Sequence, residues 1–158
     1  MFMYSNELIC NILDFLDCNL NRKITIEEIS NKFYYNRYYI MKLFKKELGV
    51  SISVYINNLR IYHSTFDIKN TNHSLTRIAI QNGFYSLEYF SEMFHKIMGV
   101  SPRVYQTYCK YYFRVSNKEL ELIRTNWIQL HEFIEYINKY KKNKKPISIP
   151  VLKRTIFY

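Results

Sequence analysis

The chain repeats itself. The segment FKKELGVSISVY at Phe44–Tyr55 recurs as FHKIMGVSPRVY at Phe94–Tyr105, with Phe, Lys, Gly, Val, Ser, Val and Tyr in matching places at an offset of 50. Upstream, Ile29-Ser30 is echoed by Ile78-Ala79 at an offset of 49, which leaves one residue of slack in the turn between. Two copies are too few for a stacked solenoid, so the chain is built on one duplicated module. With three Gly and three Pro in 158 residues there are few of the turns a β-sandwich needs, while 48% apolar residues are too many for a disordered chain. The module is therefore expected to be helical.

Each copy reads as helix, tight turn, helix. In the first, Thr25 precedes the apolar positions Ile26, Ile29 and Phe33, and Glu28 stands three residues on, a capping-box signature. Asn36 can cap a second helix that turns Ile40, Leu43, Phe44 and Leu48 to one side and ends at Gly49. In the second copy Ser74 caps a helix from Leu75 to Asn82 and Gly83 makes the turn. Ser86 then caps a helix burying Phe90, Met93, Phe94 and Ile97, and Gly99 ends it. Pro102 after Ser101 suits the first turn of a further helix. Between the copies, Val54, Tyr55, Leu59, Ile61 and Phe66 fit one continuous helix of some sixteen residues, roughly 24 Å long. Two short helices joined by a three- or four-residue turn are a helix-turn-helix, whose second helix enters the major groove. A stiff linker of that length suits two recognition helices one DNA turn, about 34 Å, apart.

Charge agrees with an anionic partner. Lys and Arg number 23 against 13 acids, a formal +10. That charge is uneven: 13 basic and 9 acidic residues lie up to Lys110, and 10 and 4 beyond it. Catalytic chemistry finds no purchase, because His63, His73, His95 and His131 lack a neighbouring nucleophile or carboxylate pair and no glycine-rich phosphate loop exists. Cys10, Cys18 and Cys109 are odd in number and show no zinc spacing. They are expected to be reduced, buried thiols. No catalytic residue, metal ligand or cofactor is expected, nor a secretory signal or membrane span, and the chain is placed in the cytoplasm with the nucleoid.

The block IAIQNGFYSLEYFSEMFHKIMGVSPRVY, Ile78–Tyr105, closely resembles the AraC/XylS family pattern of an Ile-Ala helix, a Gly-Phe turn, a Phe-Ser recognition helix and a closing Gly-x-Ser-Pro-x-x-Tyr. The likeness runs from about Ser5 to Cys109. It implies an all-α, seven-helix DNA-binding domain over residues 1–111, with helix-turn-helix units at about 25–48 and 75–98 and a linker helix at about 52–69. Since 158 residues leave no room for a sensor domain, the likeness is to the small MarA/SoxS/Rob type with a C-terminal extension, 112–158. Family likeness further implies double-stranded DNA and RNA polymerase as partners, and a transcription activator of bacterial origin.

The expected DNA-contact set on the first recognition helix is Asn36, Arg37, Tyr38, Met41, Lys42 and Lys45. By resemblance, Tyr38 and Lys42 take the family's base-reading aromatic and basic positions. The second helix offers Ser86, Leu87, Glu88, Ser91, Glu92, His95 and Lys96. Glu92 stands where many members carry Arg, so this helix is expected to read weakly or to accept from cytosine N4. In the extension, the capping box Ser116–Glu119 opens a helix to about 142 with the stripe Leu120, Ile123, Trp127, Leu130, Ile134 and Ile137. That stripe could pack onto the domain, dimerise, or dock a partner as an adaptor with weak DNA binding. A lysine-rich run, Lys139–Lys145, and Pro146 to Pro150 follow.

Overall fold

The computed structural model describes residues 2–144, with side chains from Asn6 onward. Every regular element among them is helical: α1 Phe2–Cys18, α2 Ile26–Phe33, α3 Arg37–Leu48, α4 Ile52–Asn70, α5 Leu75–Gln81, α6 Leu87–Met98, α7 Pro102–Tyr111 and α8 Asn117–Asn143, with one 3-10 turn at Tyr112–Arg114. Side-chain caps set the starts of seven of these helices. Thr25, Asn36, Ser51, Ser74, Ser86, Ser101 and Ser116 each accept a backbone N–H of the first turn, worth about 1 kcal/mol apiece. The box at Ser116 and Glu119 closes on both arms. At Thr25 the return arm is the weaker partner, because the Glu28 carboxylate pairs mainly with the Arg22 guanidinium, at 2.5 and 3.0 Å, and only secondarily with the Thr25 backbone N–H. A charged two-pronged donor wins over a single backbone N–H.

Two apolar cores result. The first gathers α1, α2, α3 and the start of α4 around Ile9, Leu13, Ile40, Phe44 and Tyr55. The second gathers the end of α4 with α5, α6 and α7 around Ile61, Ile78, Phe90, Phe94 and Tyr105. At 19 residues α4 is about 28 Å long and runs through both. Phe66 breaks the expected linker pattern. It is 41% exposed, while Ile68, two residues on, is buried.

α8 belongs to both cores at once. Ile123 and Leu130 are buried in the second; Phe133, Tyr136, Ile137 and Tyr140 are buried in the first. Counting 100° per residue, Phe133 and Tyr140 point about 60–80° away from Leu130, so the buried face swings round as the helix passes from one body to the other. A single heptad stripe is thus the wrong description, and Leu120, Trp127 and Ile134 are only half-buried. Polar contacts fix the docking. Lys141 Nζ reaches Asp17 at 2.6 Å and Asp14 at 2.9 Å, and Tyr140 Oη donates to Glu47 Oε2 at 3.4 Å. At the other end Asn126 Nδ2 donates to the Met98 carbonyl at 3.2 Å. Midway, the His131 ring stacks on Trp127 and meets the Tyr62 hydroxyl of α4 at 3.2 Å.

The thiols depart from expectation: Cys10 is buried, but Cys18 is exposed and Cys109 half-buried, all three free. Lys145 to Pro150 lie outside the described residues.

Candidate nucleic-acid interface

α3 buries Ile40, Leu43, Phe44 and Leu48. Helical spacing then leaves Arg37, Tyr38, Met41, Lys42 and Lys45 exposed together. The cap Asn36 is also exposed, its Oδ1 accepting from Tyr38 N at 2.9 Å. Arg37 is partly spoken for: its guanidinium lies 3.5 Å from Glu27, donates to Tyr38 Oη at 2.9 Å and sits 4.8 Å from that ring's centre. Lys42 and Lys45 have no partner among the described residues. They are the free cations of this face.

α6 buries Phe90, Phe94 and Met98 and exposes Glu88, Glu92, His95 and Lys96. Ser86 is half-buried and its hydroxyl is engaged in capping, accepting from Tyr89 N at 3.1 Å. Leu87 leans on the second core, and Ser91 is half-buried. The expected residues therefore share one exposed face on α3, whereas on α6 only Glu88, Glu92, His95 and Lys96 do, and the two faces differ in electrostatics. Four of the twelve residues of α3 are basic and only the buried Glu47 is acidic, whereas α6 has two exposed acids and one lysine. Glu88 lies in the first turn, where the helix dipole favours a carboxylate but not a carboxylate beside a phosphate.

Three features of this region escaped the sequence reading. First, Tyr35 stacks on Tyr39 and Tyr85 on Tyr89, with ring centres 5.5 and 4.9 Å apart. Each pair straddles the N-cap of its recognition helix, and the offset of 50 that reveals the duplication also aligns these four tyrosines. Second, Tyr34 takes the left-handed conformation at φ 59°, where the second copy has Gly83. Its side chain is 94% exposed at the turn before α3.

Third, Arg60 ties the two units together. Its Nε donates to the Leu20 carbonyl at 2.8 Å and its Nη2 to the Arg22 carbonyl at 2.7 Å, while the guanidinium lies 5.7 Å from the Phe84 ring centre. Burial lowers its pKa, yet a guanidinium stays charged. Gly83 makes this approach possible, since a β-carbon there would collide with the Leu20 carbonyl and crowd Arg60. Asn57 Nδ2, donating to Tyr89 Oη at 3.2 Å, fastens α6 to the linker helix nearby. Between the units runs an open cleft of about 690 Å³, bordered by Arg22, Lys23, Asn57, Arg60, Tyr85 and Tyr89.

Among the described residues no cluster of His, Cys, Asp and Glu is arranged to hold a metal, and no helix is long and apolar enough to cross a membrane.

Comparison with known proteins agrees with this architecture. The helix-turn-helix domain family matches residues 29–108. Over 104 residues the chain is 33% identical to YkgA of Escherichia coli K12, named an HTH-type transcriptional regulator, covering 66% of this chain and 44% of that one. Over 114 residues it is 31% identical to the lactose operon transcription activator of Staphylococcus xylosus, covering 72% and 39%. The chain spans about two fifths of the length of these curated relatives. A transcriptional regulator from Chromobacterium violaceum, described as AraC-type and DNA-binding, shares the fold with a TM-score of 0.61 at 21% identity, over 68% of this chain and 96% of that one.

Proposed function

Because the chain belongs to the AraC-type helix-turn-helix family, we propose that it is a sequence-specific DNA-binding transcriptional regulator that lays α3 and α6 in successive major-groove segments of one duplex. The observation that carries this reading is the pairing of two duplicated helix-turn-helix units on one stiff helix, α4, with Arg60 and α8 locking them in place. A monomer so built meets two groove segments from one side, as two-fold dimers do with two chains.

The two helices have unequal roles in this reading. Lys42 and Lys45, with Tyr38 and Met41 beside them, suit guanine edges, phosphates and thymine methyls. α6 is held to the backbone by Ser86, Ser91, His95 and Lys96, and Glu92 weakens its readout. Activation is the mode that the named Staphylococcus xylosus activator supports, and RNA polymerase is the partner that the family likeness alone implies. The adaptor alternative loses its surface, since most of the apolar stripe of α8 is spent within the two cores.

Salt dependence tests the proposal. Fluorescence anisotropy on a labelled duplex should show affinity falling steeply between about 50 and 200 mM salt, with a log–log slope of roughly −4.5 for about five phosphate contacts. An adaptor that has abandoned DNA gives no binding at physiological salt.

A further inference from the structure

A groove of about 700 Å³ opens between α4, α7 and the first half of α8. None of its lining residues comes from the recognition helices. Its apolar wall includes Phe66, Tyr108, Leu120, Trp127 and Ile128, and its volume suits a small organic ligand. Phe66 and Ile128 stay 41% and 53% exposed, an arrangement that wastes apolar surface unless something covers it. Two cations face the same space, Lys69 from α4 and Arg124 from α8, and no carboxylate lines the groove. Neither cation has an acid partner among the described residues.

We propose that this groove binds a small amphipathic carboxylate, its headgroup between Lys69 and Arg124 and its aromatic or alkyl body against Trp127, Phe66 and Ile128. Each half of the site excludes a simpler occupant. A bare inorganic anion leaves the apolar wall wet, and a neutral hydrocarbon leaves two cations uncompensated. Because α4, α7 and α8 all contribute, the ligand cross-links α8 to the body it packs on. Occupancy therefore raises the thermal midpoint by mass action, since the unfolded chain has no such site. The inference stands independently of how α3 and α6 read DNA.

Trp127 is the only tryptophan of the chain and lies in the groove wall, so its emission reports directly on the site. Full-length protein titrated with decanoate, and in parallel with decan-1-ol, should give a saturable change in that emission for the carboxylate below about 1 mM, with the alcohol at least about tenfold weaker. Lys69→Ala with Arg124→Ala, two exposed positions, should weaken decanoate at least about tenfold and leave the alcohol and the ligand-free thermal midpoint unchanged. Ile128→Glu should abolish binding of both. Equal affinity for acid and alcohol would overturn the proposal in favour of a bare apolar patch. So would indifference to the double substitution, or no saturable change for decanoate up to about 1 mM.

Discussion

Replacing Arg60 with alanine should loosen the joint between the two helix-turn-helix units. The side chain donates to two backbone carbonyls, of Leu20 and Arg22, in the segment between α1 and α2, and stacks on Phe84 in the turn before α6. Charge-assisted bonds of this kind are worth about 1.5–3 kcal/mol when buried, but one of these is exposed and the cleft admits water, so about 1 kcal/mol each is the appropriate figure. The contact with Phe84 adds about 0.5–1 kcal/mol, which brings the loss to about 2–3 kcal/mol. For a chain of this size that lowers the thermal midpoint by about 5–10 °C in a calorimetric or circular-dichroism melt. Arg60→Lys keeps the charge but cannot span both carbonyls, so its midpoint should fall in between. DNA binding separates this joint from an ordinary structural contact. Affinity for a duplex carrying both half-sites should drop more than affinity for the α3 half-site alone, because the second helix is no longer held in register. A midpoint within about 1 °C of the parent, or equal losses on full and half-sites, would refute the reasoning.

Other outcomes follow from the same geometry. Lys42→Ala should cost about 1–3 kcal/mol on the best site and relax preference at one or two base pairs in a selection assay; an unchanged sequence profile would remove Lys42 from the reading set. Glu92→Gln should tighten binding to all duplexes alike at fixed salt, because in the proposed docking of α6 this exposed carboxylate faces phosphate and repels it. A loss confined to one base position would show instead that Glu92 reads cytosine. Gly99→Ala forces a β-carbon into a position at φ 75° and to 2.7 Å from Asn126 Nδ2, so it strains the end of α6 and turns the Asn126 amide away from the Met98 carbonyl that ties α8 to α6. Chemical denaturation should register about 1–3 kcal/mol, with exchange protection lost first in α8. The phenols of Tyr55, Tyr105, Tyr136 and Tyr140 are all pushed above the usual value of 10.0 by burial first, with smaller contributions from neighbouring groups. The unfolded chain releases those protons near pH 10 while the folded chain keeps them, so stability falls as pH rises beyond about 10. The part of the tyrosinate absorbance that comes from these four buried phenols, read from Tyr→Phe difference titrations, should therefore rise in step with the loss of helicity rather than ahead of it.

Much of the fold is legible because helix ends are local events. The caps at Thr25, Asn36, Ser74, Ser86 and Ser116 need only a short polar side chain a few residues from the N–H it accepts, and all five form. What the pattern misread is long-range. The stripe on α8 presumes one partner surface, but the helix crosses two bodies, so Phe133, Tyr136 and Tyr140 replace half of the expected positions. Arg60 looks like any linker-helix basic residue until the fold brings it to Leu20, forty positions earlier in the chain. Phe66 counts as apolar periodicity in one dimension and becomes a groove wall in three. On the recognition helices the outward positions follow from the inward ones, which is why the candidate set on α3 could be read in advance. The tyrosine stacks were also within reach, since they obey the same offset as the repeat.

In the proposed mode one chain reads one duplex with two recognition helices of unequal strength. Selection of binding sites from a random library with the purified 158-residue chain tests this most directly. The predicted result is a gapped, asymmetric site with two half-sites about one DNA turn, roughly 34 Å, apart, the half facing α3 strongly specified and the half facing α6 weakly. A palindromic site, which requires two chains, or no enrichment at all, would contradict it.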